Sequence, residues 1–275
     1  MRLQSLPGKW RQFGILPASL WPSYTRGWLQ RSREGLVPVG FPGSKQLVWV
    51  PPAEFYASYS FFCESPQGIR EMRFLISKMR DGDVLYDIGA FRGACGVAAK
   101  AALGDSVEAH LFEPLTRNVQ SIQTIAASNR LSRFFVIPKA VGRGEVLTGR
   151  VNTDEGMLRQ GDPAATPDIV EFPCVTIDRY VAESGTTPSV IKLDVDGFEF
   201  DVLEGGRGTI EAARPSFWIE VHPTFLAAQG RDWKELIACL EASGYRIEYF
   251  EDYAAGTRDV SFHIWASGGD SRKRP

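Results

Sequence analysis

Four acid-bearing segments carry the chemistry in this sequence, and each lies at or after the end of an apolar run. The first is Asp87-Ile88-Gly89-Ala90-Phe91-Arg92-Gly93. A dinucleotide fingerprint started at Gly89 needs glycines at positions 91 and 94, where the chain has Phe91 and Ala94. Phe91 puts a side chain where backbone must approach a pyrophosphate, and Asp87 adds charge of the wrong sign. An acid before a glycine turn suits a cationic ligand instead. The second segment, His110-Leu111-Phe112-Glu113-Pro114, sets an acid at the end of the next apolar run, where a carboxylate can accept both hydroxyls of a ribose.

A sulfonium nucleoside meets both demands. S-adenosylmethionine carries a sulfonium, an ammonium and a carboxylate but no phosphate. Asp87 would hold the ammonium directly or through water, Glu113 the ribose, and the turn amides with the helix N-terminus the carboxylate. Gly89 and Gly93 let the backbone run close beneath it. A plain strand-to-helix turn and a surface Glu are the competing readings of these segments.

The third group lies further on. Val190-Ile191-Lys192-Leu193-Asp194-Val195 is a buried strand, and alternation points Lys192, Asp194 and Asp196 to one side. Ionisable groups converging there need pairing, a ligand or a cavity. Asp194 is the first choice to face donor or acceptor, and Lys192 is read as pairing with an acid. The following strand ends in Glu220-Val221-His222-Pro223. His222, with a reference pKa near neutrality, is the general-base candidate beside Glu220. Asp194, Glu220 and His222 could also bind a divalent metal, but no tighter ligand pattern supports one, and the expected site has none. Glu199 and Asp201 are read as acids of a helix's first turn.

The elements that must position these groups alternate. A helix is expected over about 67–79, a strand at 84–88, an Ala-rich helix to Leu103, and a strand over 107–112. A helix over 116–127 and a strand at 134–137 follow. Residues 142–170 read as a loop or hairpin excursion, and 175–182 as a short strand running into a turn. Strands at 190–195 and 217–221, a helix over 233–242, and a closing strand pair at 245–250 and 260–265 complete the pattern. This alternation implies an α/β doubly wound sheet, and the closing pair without an intervening helix makes one edge strand antiparallel.

From about Asp83 to Trp265 the chain resembles the FkbM family of methyltransferases. The resemblance rests on the Asp87–Gly93 turn, Phe112-Glu113-Pro114 with Asn118, Val175-Thr176-Ile177-Asp178, Ile191-Lys192-Leu193-Asp194-Val195-Asp196-Gly197-Phe198-Glu199, and Ile219-Glu220-Val221-His222. Phe91-Arg92 is bulkier than the family's usual turn, and Asp196 stands where Glu is commoner. The resemblance implies a class I, Rossmann-like methyltransferase fold with a seven-stranded, mostly parallel sheet and one antiparallel edge strand. It also implies methyl transfer from S-adenosylmethionine to a hydroxyl on a sugar, glycan or natural product. Donor-binding residues would be Asp87, Gly89, Ala90, Phe91, Gly93, Glu113 and Asn118, and the catalytic group Asp194, Glu220 and His222. A nicotinamide or nucleotide-sugar oxidoreductase and a non-catalytic binding module are the alternatives.

The 275 residues divide into an irregular or helical N-terminal extension (1–65) rich in aromatic and basic residues, a methyltransferase domain (66–267) and a basic tail (268–275). A net charge of −2 gives no global field to recruit nucleic acid. The basic residues cluster at the ends: Arg2, Lys9, Arg11, Arg26, Arg31 and Arg33 against Glu34, and Arg272-Lys273-Arg274. They read as solvated chain, with an anionic partner as the alternative. The four cysteines (63, 95, 174, 239) form no Cys-x-x-Cys pair, which argues against a zinc ribbon or disulfide framework. Cys95 and Cys239 read as helical core. No apolar run reaches the length of a membrane span, so a cytoplasmic enzyme acting on a small-molecule or glycan acceptor is expected, with homo-oligomerisation open.

Overall fold

The computed structural model describes residues 35–152, 157–159, 169–250 and 261–268. The basic stretch before Gly35, Trp10, Trp21 and Trp28, the turn after Phe250 and the basic tail lie outside the described residues. Seven strands form the main sheet: β3 (Val84–Ile88), β4 (Glu108–Phe112), β5 (Phe134–Ile137), β10 (Val190–Leu193), β11 (Ser216–Val221), β12 (Arg246–Tyr249) and β13 (Phe262–Ser267). Their order is β12-β13-β11-β10-β3-β4-β5, all parallel except β13. The expected antiparallel strand is present, but it sits one place inside the edge, where β12 covers it. The chain leaves β3 toward β4 and β5, then crosses back to β10. The β3–β10 seam is therefore the topological switch point, where doubly wound sheets bind ligands beyond the carboxyl ends of their strands.

Alternation sorts the strand residues. Tyr86, Ile88, Ile191, Leu193, Phe217 and Ile219 face the core made with the helices Glu199–Gly205, Arg207–Ala213 and Trp233–Ala242. Leu85, Val190 and Trp218 face the opposite side with Leu75, Met79 and Ala99. Asp87 shares the face of Leu85, and Lys192 that of Val190, so both charges are buried on the N-terminal helices' side. The excursion after β5 is largely strand. A four-stranded sheet of order β6-β9-β7-β8 is built from Ala140–Val141, Ile169–Val175, Val146–Asn152 and Met157–Arg159. The turn expected after Val175 is instead a helix, Ile177–Ser184. Thr176 caps it, accepting from the Arg179 N–H at 3.0 Å, and Asp178 accepts the Gly208 and Thr209 N–H groups at 2.9 and 2.7 Å to cap the helix at Arg207–Ala213. The Val-Thr-Ile-Asp segment is thus a structural joint. Of the cysteines, all free, Cys239 is exposed rather than core.

Residues 35–64 are built onto this frame. The hairpin of β1 (Val37–Val39) and β2 (Val48–Val50) and the helical segment 52–64 bury Val39, Phe41, Val48 and Tyr59 against Ala94, Val97, Ala98 and Ile125. The middle of that segment, Phe55–Tyr59, is π-helical. Its polar tie is Arg92, whose Nη1 donates to Glu54 Oε2 at 2.8 Å and Ser121 Oγ at 2.9 Å, while the Tyr59 hydroxyl donates to the Arg92 carbonyl at 3.0 Å. The Arg92 charge is spent here, away from the cavity. Arg92→Ala is expected to cost about 3–5 kcal/mol, the usual penalty for orphaning half of a buried pair. Urea unfolding of the variant measures it, and a loss below about 1 kcal/mol would show that the tie is dispensable.

Candidate active site

Three strand ends meet at the switch point and are laced by backbone. Gly89 and Ala90 N–H groups both donate to the Phe112 carbonyl, at 3.1 and 3.0 Å, and the Asp194 N–H donates to the Ile88 carbonyl at 3.1 Å. Gly89 has φ +74°, and a Cβ there would lie 1.7 Å from the Asp194 carbonyl oxygen. No side chain fits. Gly93 (φ +77°) starts the helix Ala94–Leu103 against Leu111 and Ile122. Phe91 has φ +50°, a left-handed conformation that a bulky side chain rarely takes and that concentrates at functional sites. Its N–H donates to Glu113 at 2.8 Å.

Two chambers open from this junction. The larger, of about 470 Å³, runs from Gly89 and Glu113 past Leu147 to His222 and Phe225. The smaller, of about 190 Å³, is walled by Ala90, Phe61, Phe62, Glu71 and Trp218. Phe91, Asp194 and Glu220 wall both.

Glu113 follows the last residue of β4 and faces the larger chamber. Its Oε1 accepts from the Leu115 N–H at 2.9 Å and the Asn118 amide at 3.1 Å, and its Oε2 from Phe91. Burial pushes its pKa up to about 7 against these donors and the distant Lys192 charge. Asn118 is buried and lines neither chamber, so it positions Glu113. Asp87 is placed differently from expectation. It is fully buried, lines neither chamber, and accepts from the Gly96 N–H at 3.0 Å with Lys192 Nζ 3.5 Å from its other oxygen. It ties strand, helix and Lys192 together rather than presenting a carboxylate to a ligand.

Lys192 pairs with acids, as expected. Its Nζ donates to the Gly89 carbonyl at 2.6 Å and lies 3.1 Å from Asp194 Oδ2. Burial disfavours its charge, but Asp194 and Asp87 outweigh burial and raise its pKa. Burial would likewise raise Asp194, yet Lys192 and His222 hold it below the usual carboxylate value.

The rim is the acid-rich part. His222 Nε2 lies 3.3 Å from Asp196 and 3.7 Å from both Asp194 and Glu220, and its Nδ1 is 2.9 Å from Glu199. Burial favours neutral imidazole, but Glu199, Glu220, Asp194 and Asp196 reverse that and push its pKa to about 10. These acids favour the imidazolium form of His222 over the neutral ring that a general base needs. Glu199 was missed as a site residue. It is wholly buried beneath His222, although it does begin a helix as expected. Asp196, at φ +48°, carries the turn that brings the rim together. Trp218, stacked on His263 at 4.6 Å, was likewise not foreseen as a chamber wall.

A family model described as the methyltransferase FkbM domain matches residues 87–247. The chain belongs to this family. The FkbM match opens at Asp87 and takes in the turn, Glu113, the Lys192–Glu199 run and His222. It leaves out β13 and the N-terminal helices that close the smaller chamber. Among solved structures, a methyltransferase FkbM from Methylobacillus flagellatus is similar at 20% identity and TM-score 0.48, over 69% of this chain and 45% of that one. This FkbM chain therefore spans less than half of that relative's length. A precorrin-6y C5,15-methyltransferase from Geobacter metallireducens is similar at 12% identity and TM-score 0.46, over 74% of this chain and 88% of that one. A fibrillarin from Aeropyrum pernix, solved with natively bound S-adenosyl-L-methionine, is similar at 12% identity and TM-score 0.44, over 68% and 67%. No curated protein matches the chain. Among the described residues no helix is long and apolar enough to cross a membrane.

Proposed function

We propose that this FkbM-family chain is an S-adenosylmethionine-dependent methyltransferase acting on a hydroxyl of a sugar, glycan or natural-product acceptor. The observation that carries this reading is Glu113. It is a buried carboxylate held by three donors at the end of the second strand, facing the chamber beside the Gly89 turn. A ribose hydroxyl pair fits that acceptor. The chamber's charge supports the same ligand class. Among the described residues its lining carries Glu113, Asp194, Asp196 and Glu220 and no Lys or Arg, which favours a sulfonium nucleoside over the diphosphate of a nicotinamide cofactor.

When bound, S-adenosylmethionine supplies an electrophilic methyl group. The chain's own residues orient and exclude. Glu113, braced by Asn118 and the Phe91 N–H, fixes the nucleoside, and Phe91 walls both chambers. Asp194, kept ionised by Lys192, accepts the hydrogen bond of an incoming hydroxyl and takes its proton as the C–O bond forms. Glu220 and the His222 imidazolium set the position of Asp194.

Calorimetric titration with S-adenosylmethionine and with NAD, followed by labelled-methyl transfer to a panel of glycans, tests the reading. Donor binding is expected in wild type and, within about threefold, in Asp194→Ala, whose transfer rate falls by about 100-fold or more. Binding of NAD but not of S-adenosylmethionine would sink it.

A further inference from the structure

We propose that Asp194, Glu220 and His222 form a divalent-cation site in the wall shared by the two chambers. This deepens the methyl-transfer reading and rests on it for the cation's role, though not for its binding. The sequence alone leaves this site metal-free. The geometry points the other way.

One ligand atom from each of the three residues lies within 4.8 Å of the others. His222 Nε2 is 3.7 Å from Asp194 Oδ1 and 3.7 Å from Glu220 Oε1. Those spacings are too long for hydrogen bonds, which run to about 3.2 Å. They sit just outside the roughly 3.0–3.5 Å between neighbouring ligand atoms around a cation with bonds of about 2.1 Å. A contraction of a few tenths of an ångström closes the two His222 spacings, and the carboxylate pair, within 4.8 Å, is drawn in with them.

The second observation is how the three side chains are anchored. Asp194 and His222 are each held by the far atom, which leaves Asp194 Oδ1 and His222 Nε2 to the common centre, where Nε2 also lies 3.3 Å from Asp196. Asp194 Oδ2 is held by Lys192 at 3.1 Å, Glu220 Oε2 lies 3.6 Å from His263 Nε2, and His222 Nδ1 is held by Glu199 at 2.9 Å. Glu199 is fully buried, and its second oxygen, Oε2, has no hydrogen-bond partner among the described residues. A buried carboxylate orienting an imidazole through Nδ1 is the arrangement that fixes metal-ligating histidines. The local charge agrees. Among the described residues, Asp194, Asp196, Glu199 and Glu220 gather about His222, His263 and a Lys192 already shared with Asp87. That surplus sits on side chains no more than 32% exposed, where a further cation offsets it.

Two carboxylates and one imidazole suit a hard ion such as Mg²⁺ or Mn²⁺, the ion displacing the His222 Nε2 proton to solvent as it binds and leaving its remaining positions open to water and to an acceptor oxygen. There the ion would bind the acceptor hydroxyl and ease loss of its proton to Asp194.

The test uses the full chain, stripped with chelator and titrated with Mn²⁺, reading free ion by electron paramagnetic resonance and bound ion by its ¹⁴N modulation. S-adenosylhomocysteine is titrated calorimetrically into the same samples. One Mn²⁺ per chain with imidazole ¹⁴N modulation is expected in wild type. Binding should weaken by at least about tenfold in Asp194→Asn, Glu220→Gln and His222→Gln, and be unchanged in Glu183→Gln on the exposed helix 177–184. No saturable binding in wild type, absence of ¹⁴N modulation, or equal binding in all variants overturns the site. S-adenosylhomocysteine binding without Mn²⁺ binding removes the cation and leaves the methyl-donor reading standing. Mn²⁺ binding without S-adenosylhomocysteine binding does the reverse.

Discussion

Gly89→Ala is expected to abolish donor binding and to lower stability by at least about 3 kcal/mol, because strain and collision coincide. An alanine at φ +74° is strained whatever surrounds it, and here its methyl would also fall 1.7 Å from the Asp194 carbonyl oxygen. The obstacle is backbone, so no rotamer change relieves it. The β3–β10 seam must part, and with it go the Asp194 N–H bond to Ile88 and the Lys192 bond to the Gly89 carbonyl. The matched control is Gly185→Ala. Gly185 has φ +69°, with nothing within 4 Å of an added Cβ. It carries the conformational penalty alone, about 1 kcal/mol. Urea midpoints for the two variants separate collision from strain, and S-adenosylhomocysteine titration reports the site. Equal losses in both would mean that the seam yields easily and that Gly89 is replaceable.

What the sequence could and could not disclose follows from the range of the interactions involved. The strand ends were legible because apolar runs stop at acids: Asp87, Glu113, Asp194 and Glu220 all lie at the carboxyl edge, where alternation and the switch-point rule place them. The direction of a side chain at the edge was not legible. Asp87 and Glu113 look equivalent as letters, yet Asp87 lies on the face covered by the helix Ala94–Leu103 and is consumed by Gly96 and Lys192. Glu113 lies beyond its strand and keeps a face on the chamber. The state of His222 was equally hidden. Its reference pKa suggested a base, whereas Glu199, buried beneath it from another element, helps to make it an imidazolium. Nothing in the spacing of Glu199 and His222 announces that contact. The helices at 177–184 and 207–213 escaped notice for a related reason. They are short, and the second is started by Asp178, a cap supplied from the first. The N-terminal layer carries its signal in Arg92, Glu54 and Ser121, residues that meet only once the fold exists.

Donor affinity should rise with pH through about 7, and Glu113→Gln should remove that dependence. Ribose hydroxyls donate, so they need Glu113 ionised. Its pKa of about 7 leaves the carboxyl mostly protonated at pH 6 and mostly ionised at pH 8. Binding that requires the ionised form weakens roughly tenfold between those values. Lys192 is the charged group whose field reaches Glu113. It stays protonated throughout, as does His222 at about 10, so neither contributes a step in this window. The stability sign is opposite. The folded-state pKa lies above the unfolded value, so the protonated form is favoured in the fold. Roughly 3 kcal/mol present below pH 4.5 is therefore lost as pH climbs to 7. Glu113→Gln keeps the shape but has one carbonyl oxygen where the carboxylate uses two. Leu115 and Asn118 donate to one side and Phe91 to the other, so the amide NH₂ must face a donor on one of them. Donor affinity at pH 8 is then expected to fall by about 10- to 100-fold, the loss of a charge-assisted acceptor and its preorganisation. The variant's affinity should be flat from pH 6 to 8, and urea unfolding should show its stability falling less than wild type's between pH 4.5 and 7. A wild-type affinity already flat across pH 6–8 would place the ribose elsewhere, and with it the donor.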